Sequence, residues 1–146
     1  MLRRSLILAV AALAAAGAAS ARTTAFPITI HAANGDVVIS KQPTRIISLS
    51  PTMTEDLFAV GAGKQVVAAD EDSDYPKAAP RTKLSGLSPN AEAIAQYKPD
   101  LVVISNDQNH IVRQLGQLHI RVLLAPAAAN LSQVYAQIEL IGKVTG

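Results

Sequence analysis

Apolar residues in this chain fall into short unbroken runs separated by stretches of helical spacing. Four runs stand out: Ile46-Ile47-Ser48-Leu49, Val66-Val67-Ala68-Ala69, Leu101-Val102-Val103-Ile104 and Val122-Leu123-Leu124. Runs without alternation belong to strands covered on both faces. Strands that alternate with helices imply right-handed crossovers within one parallel sheet. The pattern therefore predicts an α/β fold with a parallel sheet of four main strands and helices on both faces. Residues 27–31 and 37–40 alternate instead and flank Asn34-Gly35, a pair that tolerates positive φ. A small β-hairpin turning at Asn34-Gly35 is expected ahead of the sheet.

The helices are marked by their ends. Ser50 with Pro51 at the first helical position is one start signal, and Thr52 with Glu55 three residues on reads as a capping box. That helix runs through Val60 and stops at Gly61 and Gly63, and the strand after it opens into a long loop over residues 70–87. Ser88-Pro89 starts the next helix, with Ala91, Ile94 and Ala95 on one face, Glu92 and Gln96 on another, and Pro99 as the stop. A short helix carries Ile111, Leu115 and Leu118 to a strand at residues 120–124. Asn130 caps the last helix, where Leu131, Val134, Tyr135, Ile138 and Ile141 form a packing stripe. Tyr97 and Tyr135 are both expected to pack helices against the sheet.

The first residues follow a different logic. Arg3 and Arg4 precede an apolar stretch from Leu6 to Ala19, and Ala19-Ser20-Ala21 offers a small-x-small cleavage site. This is the layout of a secretory signal peptide over residues 1–21, and the apolar core is shorter than the roughly 20 residues a membrane span needs. Cleavage after Ala21 removes Arg3 and Arg4, leaving 11 basic against 11 acidic residues, so no basic patch points to nucleic acid. The chain has no cysteine, which rules out disulfides, cysteine nucleophiles and lipid attachment at a cysteine following the signal. A freely diffusing periplasmic or extracellular monomer is expected. About 125 residues remain, enough for one packed domain. The chain stops at Val144-Thr145-Gly146 directly after a helical pattern and reads as the first part of something longer.

A parallel sheet binds ligands outside the carboxyl ends of its strands. The loops there are Ser50-Pro51-Thr52 and residues 70–76, 105–110 and 125–130. Ser50 could act as a nucleophile in an exported α/β hydrolase, but Leu49-Ser50-Pro51 lacks a glycine elbow, and a helix-capping role fits it better. Asp70, Glu71, Asp72 and Asp74 offer either a cation contact or a solvated loop, and the solvated loop is the ordinary meaning of such a run. His31, His110 and His119 are too far apart in sequence for a metal motif, so no metal site and no cofactor are expected.

Several segments then fall into one family's order. They are Pro43-Thr44-Arg45-Ile46-Ile47-Ser48-Leu49-Ser50-Pro51, Thr54-Glu55, Ala59-Val60-Gly61-Ala62-Gly63, Asp74-Tyr75-Pro76, Pro89-Asn90-Ala91-Glu92-Ala93-Ile94 and Lys98-Pro99-Asp100-Leu101-Val102-Val103. The chain resembles the periplasmic binding proteins that serve ATP-driven importers of vitamin B12 and ferric siderophores. The resemblance implies a two-lobed protein in which residues 22–146 form the Rossmann-like amino-terminal lobe and the second lobe is absent. It implies capture of an iron siderophore, a related metal chelate or cobalamin, and delivery to the transmembrane permease of an ABC importer, without catalysis. Ligand contacts are expected at Ser50, Pro51, Thr52, Asp72, Tyr75, Gly86 and Asn106, and permease docking at Glu92. Asp72 and Gly86 stand where the B12 binders place a tyrosine and a tryptophan, which argues against a flat corrinoid. The acidic residues 70–74 disfavour anionic siderophores. A neutral or cationic iron chelate is the favoured ligand, with haem, on Tyr75 or His110, as a further member of the same set.

Overall fold

The computed structural model describes residues 25–146, so the expected signal peptide lies outside the described residues. Strands β1 (Ile28–Ala32) and β2 (Gly35–Ile39) form the antiparallel hairpin, and β3 (Ile46–Ser48), β4 (Val66–Ala69), β5 (Leu101–Ile104) and β6 (Val122–Leu124) form a parallel sheet in the order β4-β3-β5-β6. The helices are α1 (Pro51–Ala59), α2 (Ala91–Ala95), α3 (Ile111–Gln117) and α4 (Leu131–Thr145). The predicted architecture, hairpin included, is the one observed.

Alternate residues of the buried strands serve two cores. Ile46, Leu101, Val103 and Leu123 pack with Met53 and Leu57 of α1, Ile141 and Val144 of α4, and Ile30, Val37 and Ile39 of the hairpin. Ile47, Val102, Ile104 and Val122 pack with Ala91 and Ile94 of α2 and with Ile111 and Leu115 of α3. Each strand is thus apolar on both faces, which is why the runs do not alternate.

Both edges of the sheet are closed. At β6 the hairpin turn docks end-on: Asn34 Nδ2 donates to the Val122 carbonyl at 2.9 Å, the Leu124 amide donates to Asn34 Oδ1 at 3.0 Å, and the Ala33 amide donates to the Leu124 carbonyl at 3.1 Å. One side-chain amide here takes the part of a paired strand residue. At β4 the Ala69 amide donates to the Pro80 carbonyl and the Thr82 amide returns to the Ala69 carbonyl, both at 2.9 Å, so the long loop is stitched along the strand.

Several local expectations are corrected. The hairpin turns on Ala33 and Asn34, because Ala32 pairs with Gly35, and Gly35 alone of these takes positive φ (+99°). Asn34 is thereby free to use its side chain on β6. The Thr52–Glu55 capping box does not form: Ser50 holds the N-cap position without a side-chain cap, and Thr54 Oγ1 turns back to the Ser50 carbonyl. The reciprocal arrangement sits instead at α4, where Asn130 Oδ1 accepts from the Gln133 amide and Gln133 Oε1 accepts from the Ala129 amide. Helix α2 begins at Ala91 under an Asn90 cap rather than at Ser88-Pro89, and β6 begins at Val122 rather than at residue 120. Tyr135 is 65% exposed and Leu131 73%, so the apolar stripe of α4 does not pack in its first turns, whereas Tyr97 does pack on the α2–α3 side. The packed face of α4 is Gln137, Ile141, Val144 and Thr145.

Asn34→Ala should lower the unfolding free energy by about 2 kcal/mol, since two hydrogen bonds each contribute about 1 kcal/mol. Urea unfolding of the variant measures this, and an unchanged midpoint would show that the edge closure adds nothing.

Candidate functional site

The order β4-β3-β5-β6 means the chain leaves β3 toward one side and returns past it to the other. The topological switch point therefore lies between β3 and β5, and a crevice opens there beyond their carboxyl ends. Ser48 pairs with Val103, and the Leu49 amide donates to the Val103 carbonyl at 2.9 Å, so Ser50 and Pro51 rise beside Ser105 and Asn106. Ser50 is buried, while Pro51, Thr52 and Asn106 are exposed. Four of the seven expected ligand residues meet at this point.

What builds the crevice is the first turn of α1. Pro51 has no amide hydrogen, no side chain caps the helix and no acidic residue lies in its first turn. The start of α1 therefore presents a partial positive charge that suits a polar or anionic group on a ligand. Asn106 Nδ2 donates to Ser105 Oγ at 3.2 Å, and among the described residues no donor reaches its Oδ1. Beyond it Asn109 and His110 both take positive φ (55° and 57°), a strained stretch fixed by Gln114 Nε2 on the Asn109 carbonyl and by Asp107 Oδ1, which accepts from the Val112 amide.

The other expected contacts spread along the β4 side. Asp72 is exposed in the turn after β4. Tyr75, also exposed, lies on the flank of α1, where it lines an open cavity of about 480 Å³ with Glu55, Asp56, Phe58 and Ala59. Burial raises the Asp56 carboxyl above its ordinary pKa, and the neighbouring Glu55 charge adds to the shift. Gly86 lies behind the crevice wall: a Cβ there would stand 2.5 Å from the Leu49 carbonyl oxygen and 3.0 Å from Asp70 Oδ2. A glycine is needed at this position for backbone packing alone. Glu92 is exposed on α2, with Ala91 and Ile94 buried beneath it.

Two features escaped the sequence reading. Asp70 is buried with 2% exposure, so it does not belong to the solvated acidic run that Glu71, Asp72 and Asp74 form. Nothing in the run of four carboxylates distinguishes it, except that it directly follows a buried strand. The second is an open groove of about 340 Å³ at the carboxyl end of β6, walled by Ala125, Pro126, Ala128, Ala136 and Leu140 and by the hairpin turn at Ala33. Its signal was the alanine run after β6, which no side-chain chemistry marks.

Comparison with known proteins places these features in context. Residues 46–146 match the family model described as periplasmic binding protein. The chain is 37% identical over 134 residues to the uncharacterized ABC transporter substrate-binding lipoprotein YvrC of Bacillus subtilis, covering 88% of this chain and 43% of that protein. It is 31% identical over 131 residues to the cobalamin-binding protein of Halobacterium salinarum, covering 86% of this chain and 36% of that one. Among solved structures, a possible iron-binding periplasmic protein from Staphylococcus epidermidis superposes with a TM-score of 0.63 at 27% identity, over 72% of this chain and 43% of that one. The heme binding protein HmuT superposes with a TM-score of 0.71 over 85% of this chain and 42% of that one, a likeness of fold at 23% identity. The chain thus spans about two fifths of the length of the relatives it matches. The relatives are named as substrate-binding and cobalamin-binding proteins, and none of these names supports Ser50 as a hydrolase nucleophile.

Gly86→Ala should destabilise the fold by about 2 kcal/mol, the usual cost of forcing an extra methyl against fixed backbone. A thermal melt of the variant at the wild-type temperature would contradict the close approach of residue 86 to Leu49. Taken together, the parallel sheet, the crevice at its switch point and the match over residues 46–146 show that this chain belongs to the periplasmic binding protein family.

Proposed function

We propose that this chain is the amino-terminal lobe of an exported solute-binding protein that captures a metal chelate, an iron siderophore or a corrinoid, and delivers it to the permease of an ABC importer. The observation that carries this reading is the carboxyl edge of the sheet. Polar groups at Ser50, Thr52 and Asn106 stand at the switch point, and the alanine-walled groove lies farther along the same edge. Few convergent polar groups beside an apolar wall suit a ligand with an apolar surface and a polar rim. A lobe of this kind supplies half of a cleft, and the second lobe supplies the other half.

Glu71, Asp72 and Asp74 are exposed on the β4 side of the crevice and favour a neutral or cationic chelate over an anionic one. Ser50, Pro51, Thr52 and Asn106 make the first contacts, with Asp72 and Tyr75 farther out. Gly86 contributes by letting the wall close behind Leu49. The protein acts as a monomer in the periplasm or outside the cell, released by cleavage after Ala21, and has no nucleic-acid partner. No helix among the described residues is long and apolar enough to cross a membrane.

Native mass spectrometry of the protein purified from its producing cell should find an iron chelate or a corrinoid bound. Haem in its place would assign the protein to the haem-binding members, and a sugar or a nucleotide would overturn the reading.

Glu92 is the docking residue for the permease. It projects from the surface of α2 without a protein partner among the described residues, so reversing its charge touches neither core nor crevice. Glu92→Lys should abolish uptake in cells while leaving folding and ligand affinity unchanged. Juxtaposed like charges cost on the order of several kcal/mol, and the wild-type contact should weaken as salt rises. Normal uptake by the variant would leave Glu92 an ordinary surface residue.

A further inference from the structure

Asn34-Gly35 is the one Asn-Gly pair in the chain, and the fold requires both of its members. Gly35 takes a φ of +99°, while a Cβ built there would meet nothing within 4 Å, so backbone conformation alone keeps glycine at this position. Asn34 is kept by its bonds to β6. Its Nδ2 donates to the Val122 carbonyl at 2.9 Å, and its Oδ1 accepts from the Leu124 amide at 3.0 Å. A side-chain amide supplies that donor and that acceptor on adjacent positions. The same pair is open to chemical damage, because asparagine is a thermolabile residue and Gly35 has no Cβ to crowd the backbone nitrogen that follows it. The other asparagines, Asn90, Asn106, Asn109 and Asn130, are followed by Ala91, Asp107, His110 and Leu131.

We propose that Asn34 is a site of spontaneous deamidation, and that its docking on β6 is the gate that holds the reaction off in the folded chain. In the reaction the Gly35 nitrogen bonds to Asn34 Cγ, and Nδ2 leaves as ammonia, taking the proton of the Gly35 amide with it. Water then opens the imide ring, its hydroxyl adding to one ring carbonyl carbon and its proton returning to the Gly35 nitrogen. Opening at Cγ leaves aspartate at position 34. Opening at the Asn34 backbone carbonyl leaves isoaspartate, with the main chain running through the side chain. Folding opposes the first step. Closing the ring draws Cγ onto the Gly35 nitrogen and expels Nδ2, so it works against both bonds to β6. Gly35 is itself held in register opposite Ala32.

The product does not rebuild the clamp. An aspartate at position 34 keeps an acceptor for the Leu124 amide but sets an oxygen without a proton against the Val122 carbonyl. Isoaspartate lengthens the main chain by one carbon within the turn. Either product opens the β6 edge that the intact chain keeps closed. The inference concerns the hairpin and is independent of any ligand, so it can fail without touching the transport reading.

Peptide mapping by mass spectrometry of the full chain, aged in mildly alkaline buffer, tests the proposal. Unfolded in urea, the chain should turn Asn34 into aspartate and isoaspartate ahead of its other asparagines. The folded chain should do so more slowly, on the order of tenfold, as two hydrogen bonds imply. Equal rates in the two states, or an Asn34 that outlasts the other asparagines in urea, would overturn the proposal. Gly35→Ala should slow the conversion in urea, and an unchanged rate would mean that water attacks Asn34 directly, against the ring-closing route. Hydrogen exchange at the Leu124 amide reads the opening of the same clamp. Mild denaturant that speeds this exchange should speed native conversion in step, and conversion indifferent to it would remove the gate from β6. Asn34→Asp, which reproduces one product, should unfold at lower urea than the wild type, and an unchanged midpoint would contradict the loss of the clamp.

Discussion

The carboxylate of Asp100 holds the strand on which the rest of the sheet is hung. It accepts from the Thr44 amide at 2.9 Å, from Thr44 Oγ1 at 3.1 Å and from the Arg45 amide at 3.0 Å, immediately before β3 begins. Arg45 reaches back in turn to the carbonyls of Lys98 and Tyr97. Strand β3 is three residues long and paired on both sides, so few ladder bonds define its register. A slip of one residue would exchange Ile46 and Ile47 between the two cores and turn Ser48 away from the Ser50 carbonyl. Charge-assisted bonds at the entry, together with the hydroxyls at the exit, fix that register where the ladder alone is short.

This division of labour sorts the segments that carry the family resemblance to opposite ends of the strands. Thr44-Arg45 and Lys98-Pro99-Asp100 meet at the amino edge and have no access to ligand, whereas Ser50-Pro51 and Thr54 meet at the carboxyl edge. The first group secures register and the second shapes the crevice. A register error at one edge would thus be felt as a displaced helix start at the other.

Much of the fold was legible because burial on two faces leaves a compositional mark. Uninterrupted runs such as Leu101–Ile104 admit few alternatives, and helix ends at Pro51 and Asn130 announce themselves through local chemistry. The misreadings share a cause. Thr52 suits a cap by residue type, yet in the fold it is left exposed, and Asn34 does sit in the turn but spends its side chain on β6 across 88 residues of chain. Tyr135 was assigned to packing by its spacing, but spacing defines a face of a helix without saying which face meets the sheet. At the candidate crevice, Ser50, Pro51, Thr52 and Asn106 follow the ends of β3 and β5, where the rule of strand ends directs attention. Asp70 was not legible in this way, because Ser73 and Thr54 reach it only through the folded loop.

The hairpin that closes β6 also sets an order of events as the chain emerges from the ribosome. Residues 28–39 are complete long before β6 exists, so β6 meets a cover already made. At the opposite edge, the segment at Pro80–Thr82 follows β4 by little more than ten residues. Neither edge has to wait for distant sequence before it can be shielded, and an unshielded strand edge is the feature through which nascent chains pair with one another.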